Sequence, residues 1–179
     1  MVKLENKFSW LAEEKAPAML VEALKYNGLK EVIGANDNPT ILSWAKTLGI
    51  SWYSKDSIPW CGLFVGWVAH KCNYAFDKNK LLSAREWIKW GDPVIKGREM
   101  LWDVLVFVRE GGGHVGFYVA EDATSFCVYG GNQSDSVGFT WIAKSRLLGA
   151  RRPKYVVGEP DNVRQVSMTR DGVLSTNEA

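Results

Sequence analysis

Apolar residues recur at helical spacing through the first part of the chain. Within "WLAEEKAPAMLVEALKYNGL", Trp10, Leu11, Met19, Leu20, Ala23 and Leu24 follow a helical recurrence, with Pro17 near the start of its second part and Gly28 as its end. Thr40 to Leu48 predicts a second, short helix, because Pro39 sits in a first-turn position and Gly49 supplies a stop. "GANDNP" between them is a loop by composition. A third helix is predicted from Cys61 to about Lys71, apolar nearly all round, which is the pattern of a buried helix. "SAREWIKWG" reads as a further helical piece and the following "DP" as a turn.

From Leu101 the period changes to two. "LWDVLVFVR", "HVGFYVAE", "SFCVYGG" and "SVGFTWIAK" are rich in β-branched and aromatic residues, and glycine clusters at 111–113 and 130–131 separate successive runs. Helices followed by an antiparallel meander predict an α+β domain. Beyond "LLGARRPKY" the chain turns polar, and 158–179 reads as a flexible tail or a partner-binding extension. No internal repeat is visible.

Composition narrows the class. A chain of 179 residues, 46% hydrophobic and 23% charged, suits one domain with a proper core. A net charge of +2 gives no electrostatic footprint of a nucleic-acid binder. Glu5, Glu13, Glu14 and Lys15 interrupt the stretch where a signal peptide needs about 7–15 apolar residues. The apolar run Leu63 to Ala69 is far short of the roughly 20 residues that span a bilayer. The expectation is synthesis in the cytoplasm without a signal peptide and no membrane insertion. Cysteines at 61, 72 and 127 form no even framework and no C-x-x-C pair, so reduced thiols are expected. The nine tryptophans fit either a sugar-binding surface or, as for most Trp, the core.

The candidate chemistry centres on Cys61. A cysteine nucleophile needs a base, and the chain has only His70 and His114. Nine residues along one helix put His70 on the face opposite Cys61 and about 13 Å away along the axis. His114 is left, opening a β-run directly after "GGG", where Gly113 lets a substrate or another backbone come close. A cysteine at a helix N-terminus followed by a histidine on a later strand is the papain-like order. In it, helix N–H groups and an imidazolium lower the thiol pKa and one N–H can face an oxyanion. The polar turn "GGNQSD" offers Asn132 as the residue orienting the imidazole, with Gln133 and Asp135 as substitutes.

Neighbouring residues carry two readings each. Trp60 walls the cleft beside the nucleophile or belongs to the core. Asp56 lies near the thiolate or is a solvated loop carboxylate. Cys127 reads as core and Asp103 as a turn contact. Arg151 and Arg152 read as solvated surface. Cys72, about 16 Å along the helix from Cys61, cannot pair with it in a disulfide within that helix. Cys72, Cys127 and His70 show no zinc-ligand spacing, so no metal is expected.

Several stretches in order resemble one family. "KEVIGANDNPTILSWAKTLG", "DSIPWCGLFVGWV", "SAREWIKWG", "DVLVFVREGGGHVGFYVAED", "VYGGNQSDSVGF" and "RLLGARRP" lie within residues 10 to 153. They are similar to the small CHAP-like (cysteine, histidine-dependent amidohydrolase/peptidase) proteins of bacteriophages and prophages, relatives of NlpC-type papain-like cell-wall hydrolases. The resemblance implies a papain-like CHAP fold, a helical N-terminal half packed on a small antiparallel SH3-like sheet. It also implies a single catalytic domain over 1–157 and a tail over 158–179. Cys61 would be the nucleophile, His114 the base and Asn132 the third residue, with Trp60, Asp56, Gly113 and Gln133 as substrate contacts. Many CHAP domains orient the histidine with a carboxylate; Gly130, Gly131 and Asn132 stand in that region here.

The implied substrate is the peptide part of bacterial peptidoglycan. Cys61 would attack an amide carbonyl, His114 would protonate the leaving amine, and water would release the acyl group, without metal or cofactor. An endopeptidase cut in the stem peptide is slightly preferred to an amidase cut at the sugar–peptide link. The expectation is a monomeric endolysin or virion-associated lysin reaching the periplasm or wall through a holin or the injection machinery. The alternatives are a secreted antibacterial effector with an immunity protein, and a catalytically silent structural or wall-binding domain.

Overall fold

The computed structural model describes residues 4–34, 36–176 and 178. The chain begins with a 3-10 turn, Asn6–Ala12, followed by α1 (Ala18–Leu24), α2 (Pro39–Thr47) and α3 (Cys61–Lys71). A second 3-10 turn, Ala84–Lys89, leads into the sheet. Its strands are β1 (Asp92–Val94), β2 (Val104–Arg109), β3 (Gly112–Glu121), β4 (Ser125–Gly130), β5 (Gly138–Ala143) and β6 (Leu147–Arg152).

Local chemistry explains most of these boundaries. Asn38 caps α2, its side chain accepting from the Thr40 amide at 2.9 Å, and Pro39 takes the first helical position where a missing N–H costs nothing. Helix α3 starts at Cys61 and ends at Lys71 as its apolar run predicts, with all of Cys61 to Gly66 buried. The first predicted helix is instead split into the 3-10 turn and the short α1, with Ala16 and Pro17 between them. The "DP" turn is also corrected: Asp92 and Pro93 begin β1, which pairs with β6, Asp92 opposite Arg152.

The six strands are antiparallel throughout, in the spatial order β1-β6-β2-β3-β4-β5. Strands β2 to β5 form the predicted meander, while β6 returns to the far side of β2 and lies between it and β1. The chain is therefore an α+β fold. Alternation sends Val104, Val106, Val115, Phe117, Cys127 and Tyr129 to the helical side, where they join Leu63, Phe64 and Val68 of α3. Phe64 meets Phe117 and Tyr129 edge-on, with ring centroids 6.3 and 6.2 Å apart. The opposite residues, Leu105, Phe107, Tyr118, Phe126, Val128 and Ile142, form a second cluster with Ala150. Val94 of β1 and Leu147 of β6 pack against that cluster.

Arg152 is not a solvated surface charge. It forks onto Asp103 at 2.8 Å through both Nε and Nη2, and the Asp103 side chain is wholly inaccessible. The segment after β6 lies along the domain. The Leu101 amide donates to Arg164 at 2.8 Å, the Glu121 amide to Val166 at 2.8 Å and the Ser175 amide to Trp141 at 2.8 Å. Among the described residues, no helix is long and apolar enough to cross a membrane.

Candidate active site

Cys61 is the first residue of α3, preceded by Trp60, whose side chain makes no capping hydrogen bond. The start of a helix leaves backbone N–H groups without intrahelical partners, and here the Gly62 amide acts on the Cys61 thiol. The amide of Val115 does so from β3. Val115 follows His114 in β3, so α3 packs with Cys61 against this end of the strand, Val115 facing the helical cluster and His114 standing opposite Phe107 of the other cluster.

The protonation state differs from the thiolate–imidazolium expectation. Cys61 is 4% exposed, and burial pushes its thiol up, although the Val115 and Gly62 amides and the charge of Arg109 pull it down. Burial likewise pushes His114 down to about 4; Arg109 and Arg146 act the same way, while Glu178 and the Gln133 hydrogen bond oppose. Desolvation penalises both charged forms, so at neutral pH the resting site holds a thiol and a neutral imidazole.

Gln133 is the hydrogen-bonding partner of His114, its Oε1 lying 3.0 Å from Nε2. The Gln133 amide nitrogen donates to the carbonyls of Val128 at 3.2 Å and Gly138 at 2.6 Å. With its nitrogen committed to two acceptors, the carboxamide presents oxygen to His114. This network assigns the proton to Nε2 and leaves the lone pair, and hence the basic site, on Nδ1.

The turn that carries Gln133 is tightly wound. Asn132, Ser134 and Asp135 all have left-handed backbones, with φ of 57°, 51° and 56°. The Gln133 amide donates to the Ser136 carbonyl at 2.9 Å, and the Ser136 hydroxyl to the Gln133 carbonyl at 2.8 Å. Asn132, preferred from sequence, is buried on the same turn but is not the residue bonded to His114. Asp135 is exposed.

The remaining sequence candidates are placed as follows. Trp60 is fully buried in the core, and its indole donates to Glu31 at 2.6 Å. A Cβ on Gly131 would stand 2.6 Å from the Trp60 ring, so this glycine lets the turn pack flat on the indole. Asp56 is 3% exposed rather than solvated: its Oδ2 accepts the amides of Val32 and Asn38 at 2.8 Å each, fastening the loop ahead of α2. Gly113 is approached by this chain itself, since a Cβ there would stand 2.9 Å from both the Phe107 carbonyl and Arg85. His70 lies in the last turn of α3 beside Trp67, at the other end from Cys61.

Three charged residues near these groups carry no sequence motif. Glu31 is held by the Trp60 indole, and burial, with Asp135 and Asp56, pushes its carboxyl up despite that hydrogen bond. Arg146, at the end of the 3-10 turn Lys144–Arg146, forms an ion pair with Glu178. Both act electrostatically on His114. Among the described residues, no three His, Cys, Asp or Glu side chains converge as a metal site requires.

A cavity of 1240 Å³ lies elsewhere, lined by residues including Tyr74, Phe76, Trp87, Trp90 and Tyr155. Cys72 also lines it, with a thiol that burial pushes up to about 11, but no histidine does. The candidate cysteine and histidine, Cys61 and His114, do not line this cavity. Comparison with protein-family models and with curated proteins finds no match for this chain.

Proposed function

We propose that this chain is a cysteine-dependent amide hydrolase with a papain-like arrangement, acting on the peptide part of bacterial peptidoglycan. The observation that carries the chemistry is the neutral His114, held through Nε2 by Gln133, in the strand position adjoining the amide that acts on the Cys61 thiol. On this reading Nδ1 of His114 takes the Cys61 proton as the sulfur attacks the amide carbonyl, then returns it to the leaving amine. The helix-start amide of Gly62 would face the developing oxyanion. Water then attacks the thioester, with His114 again acting as base.

A resting neutral pair is compatible with this sequence, because transfer of the proton can accompany attack rather than precede it. The choice of peptidoglycan rests on the resemblance of the motifs around Cys61, His114 and Gly130–Gln133 to CHAP-like proteins. An endopeptidase cut, and a role as endolysin or virion-associated lysin, belong to the same reading. Digestion of purified peptidoglycan, with mass spectrometry of the fragments, tests it. A new carboxylate terminus within the stem peptide identifies an endopeptidase, and a free lactyl carboxylate on the sugar together with a freed alanine N-terminus identifies an amidase. Intact peptidoglycan after exposure to folded protein overturns the assignment.

A further inference from the structure

The segment after β6 ends its described course beside the candidate site. Glu178 inserts a carboxylate with no accessible side-chain surface, and Arg146 grips it with a two-pronged contact, Nη1 to Oε1 at 2.7 Å and Nη2 to Oε2 at 2.8 Å. Both flanks of this pair lead to His114. The Ser134 amide donates to the Glu178 carbonyl at 3.1 Å, next to Gln133. Arg146 Nε donates at 3.1 Å to the carbonyl of Val108, whose strand partner is Gly113.

The guanidinium has contacts besides the carboxylate, one to the sheet and one to the segment that carries Glu178. Besides Val108, it donates through Nη1 to the Ser175 carbonyl at 3.0 Å. A preformed planar donor whose charge is felt at His114 is the geometry that receives a carboxylate or another planar anion. Charges around His114 suit this: Arg109 and Arg146 are positive, Glu178 is the opposing negative charge, and Gln133 is neutral. Burial pushes the Glu178 carboxyl up, but the hydrogen bonds and charge of Arg146 work against it, and the carboxyl lies below its ordinary range.

We propose that Arg146 is a substrate-carboxylate subsite and that Glu178 fills it in the resting protein, so that an acidic peptide must displace Glu178 to reach Cys61. This rests on the hydrolase reading for the peptide's identity, but the subsite itself is a binding site and is testable without turnover. The segment then acts as an internal competitor with the same chemistry as the ligand.

The test uses the full chain carrying Cys61→Ala, titrated calorimetrically with an alanyl-γ-glutamyl peptide and with its carboxamide counterpart. With Glu178→Ala added, the carboxylate peptide is expected to bind at least about tenfold tighter than the carboxamide, as a charged hydrogen-bonding pair implies. Restoring Glu178 should weaken carboxylate binding, and Arg146→Met should remove the preference. Arg146→Lys, which keeps the charge without the fork, should retain only part of it and guards against a folding artefact. Equal affinities for the two peptides with Glu178 replaced, or a preference surviving Arg146→Met, overturn the subsite. Carboxylate preference without peptidoglycan cleavage by the wild type would reject the hydrolase and keep the subsite. Cleavage without preference would do the reverse.

Discussion

Gln133 fixes the orientation of His114 from a side chain that has no freedom of its own. Its oxygen meets Nε2 at 3.0 Å while its nitrogen is spent on the Val128 and Gly138 carbonyls. Gln133→Ala removes the orienting group and leaves two strand carbonyls short of a donor. It is expected to lower stability by about 1–3 kcal/mol, read from urea unfolding. Cleavage should fall roughly 10- to 100-fold, mainly in kcat, since positioning of the base matters in the transition state. Asn132→Ala should leave kcat much less affected.

The depressed pKa of His114 makes stability depend on pH in a definite direction. The unfolded imidazole titrates near its ordinary 6.5 and the folded one at about 4, so between those values the unfolded chain binds more protons. The contribution is fully present above 6.5 and is lost as pH falls towards 4, amounting to about 3 kcal/mol. Unfolding free energies for wild type and His114→Asn, measured from pH 7 to pH 4.5, should converge as the pH falls. Parallel curves would refute the assignment.

Cys61 should be slow to alkylate in the resting protein. Burial raises its thiol, as it does those of Cys72 and Cys127. Iodoacetamide at pH 8 is expected to modify Cys61 at least about tenfold more slowly than an exposed thiol, because only the thiolate reacts. Mass spectrometry of the peptide containing residues 61–71 gives the rate.

Gly113→Ala is expected to destabilise the fold by about 1–3 kcal/mol through overpacking. The added methyl would stand 2.9 Å from the Phe107 carbonyl, which cannot move without disturbing β2. The shift in the urea midpoint, at unchanged slope, measures it.

Much of the fold was legible because its elements depend on local patterns. The unbroken apolar run of α3, the Asn-Pro start of α2 and the period of two from Val104 to Ala143 each point to one element type. Strand β6 escaped because "LLGARR" lacks the alternation of a half-buried strand, and β1 because Asp-Pro normally marks a turn. At the candidate site, the placement of Cys61 at a helix start and of His114 on a glycine-flanked strand was readable. The choice between Asn132 and Gln133 was not, since both are buried on a turn with three left-handed residues and only the folded turn shows that Gln133 is the one bonded to His114. Arg146 and Glu178, 32 residues apart, meet only through the path of the segment after β6.

The most direct test compares peptidoglycan fragment release by wild type, Cys61→Ala and His114→Ala, with melting curves showing that all three are folded. Soluble fragments from wild type alone, and none above background from either variant, are expected if Cys61 is the nucleophile and His114 its base. Equal release by a folded Cys61→Ala protein, or no release by wild type, would contradict the assignment.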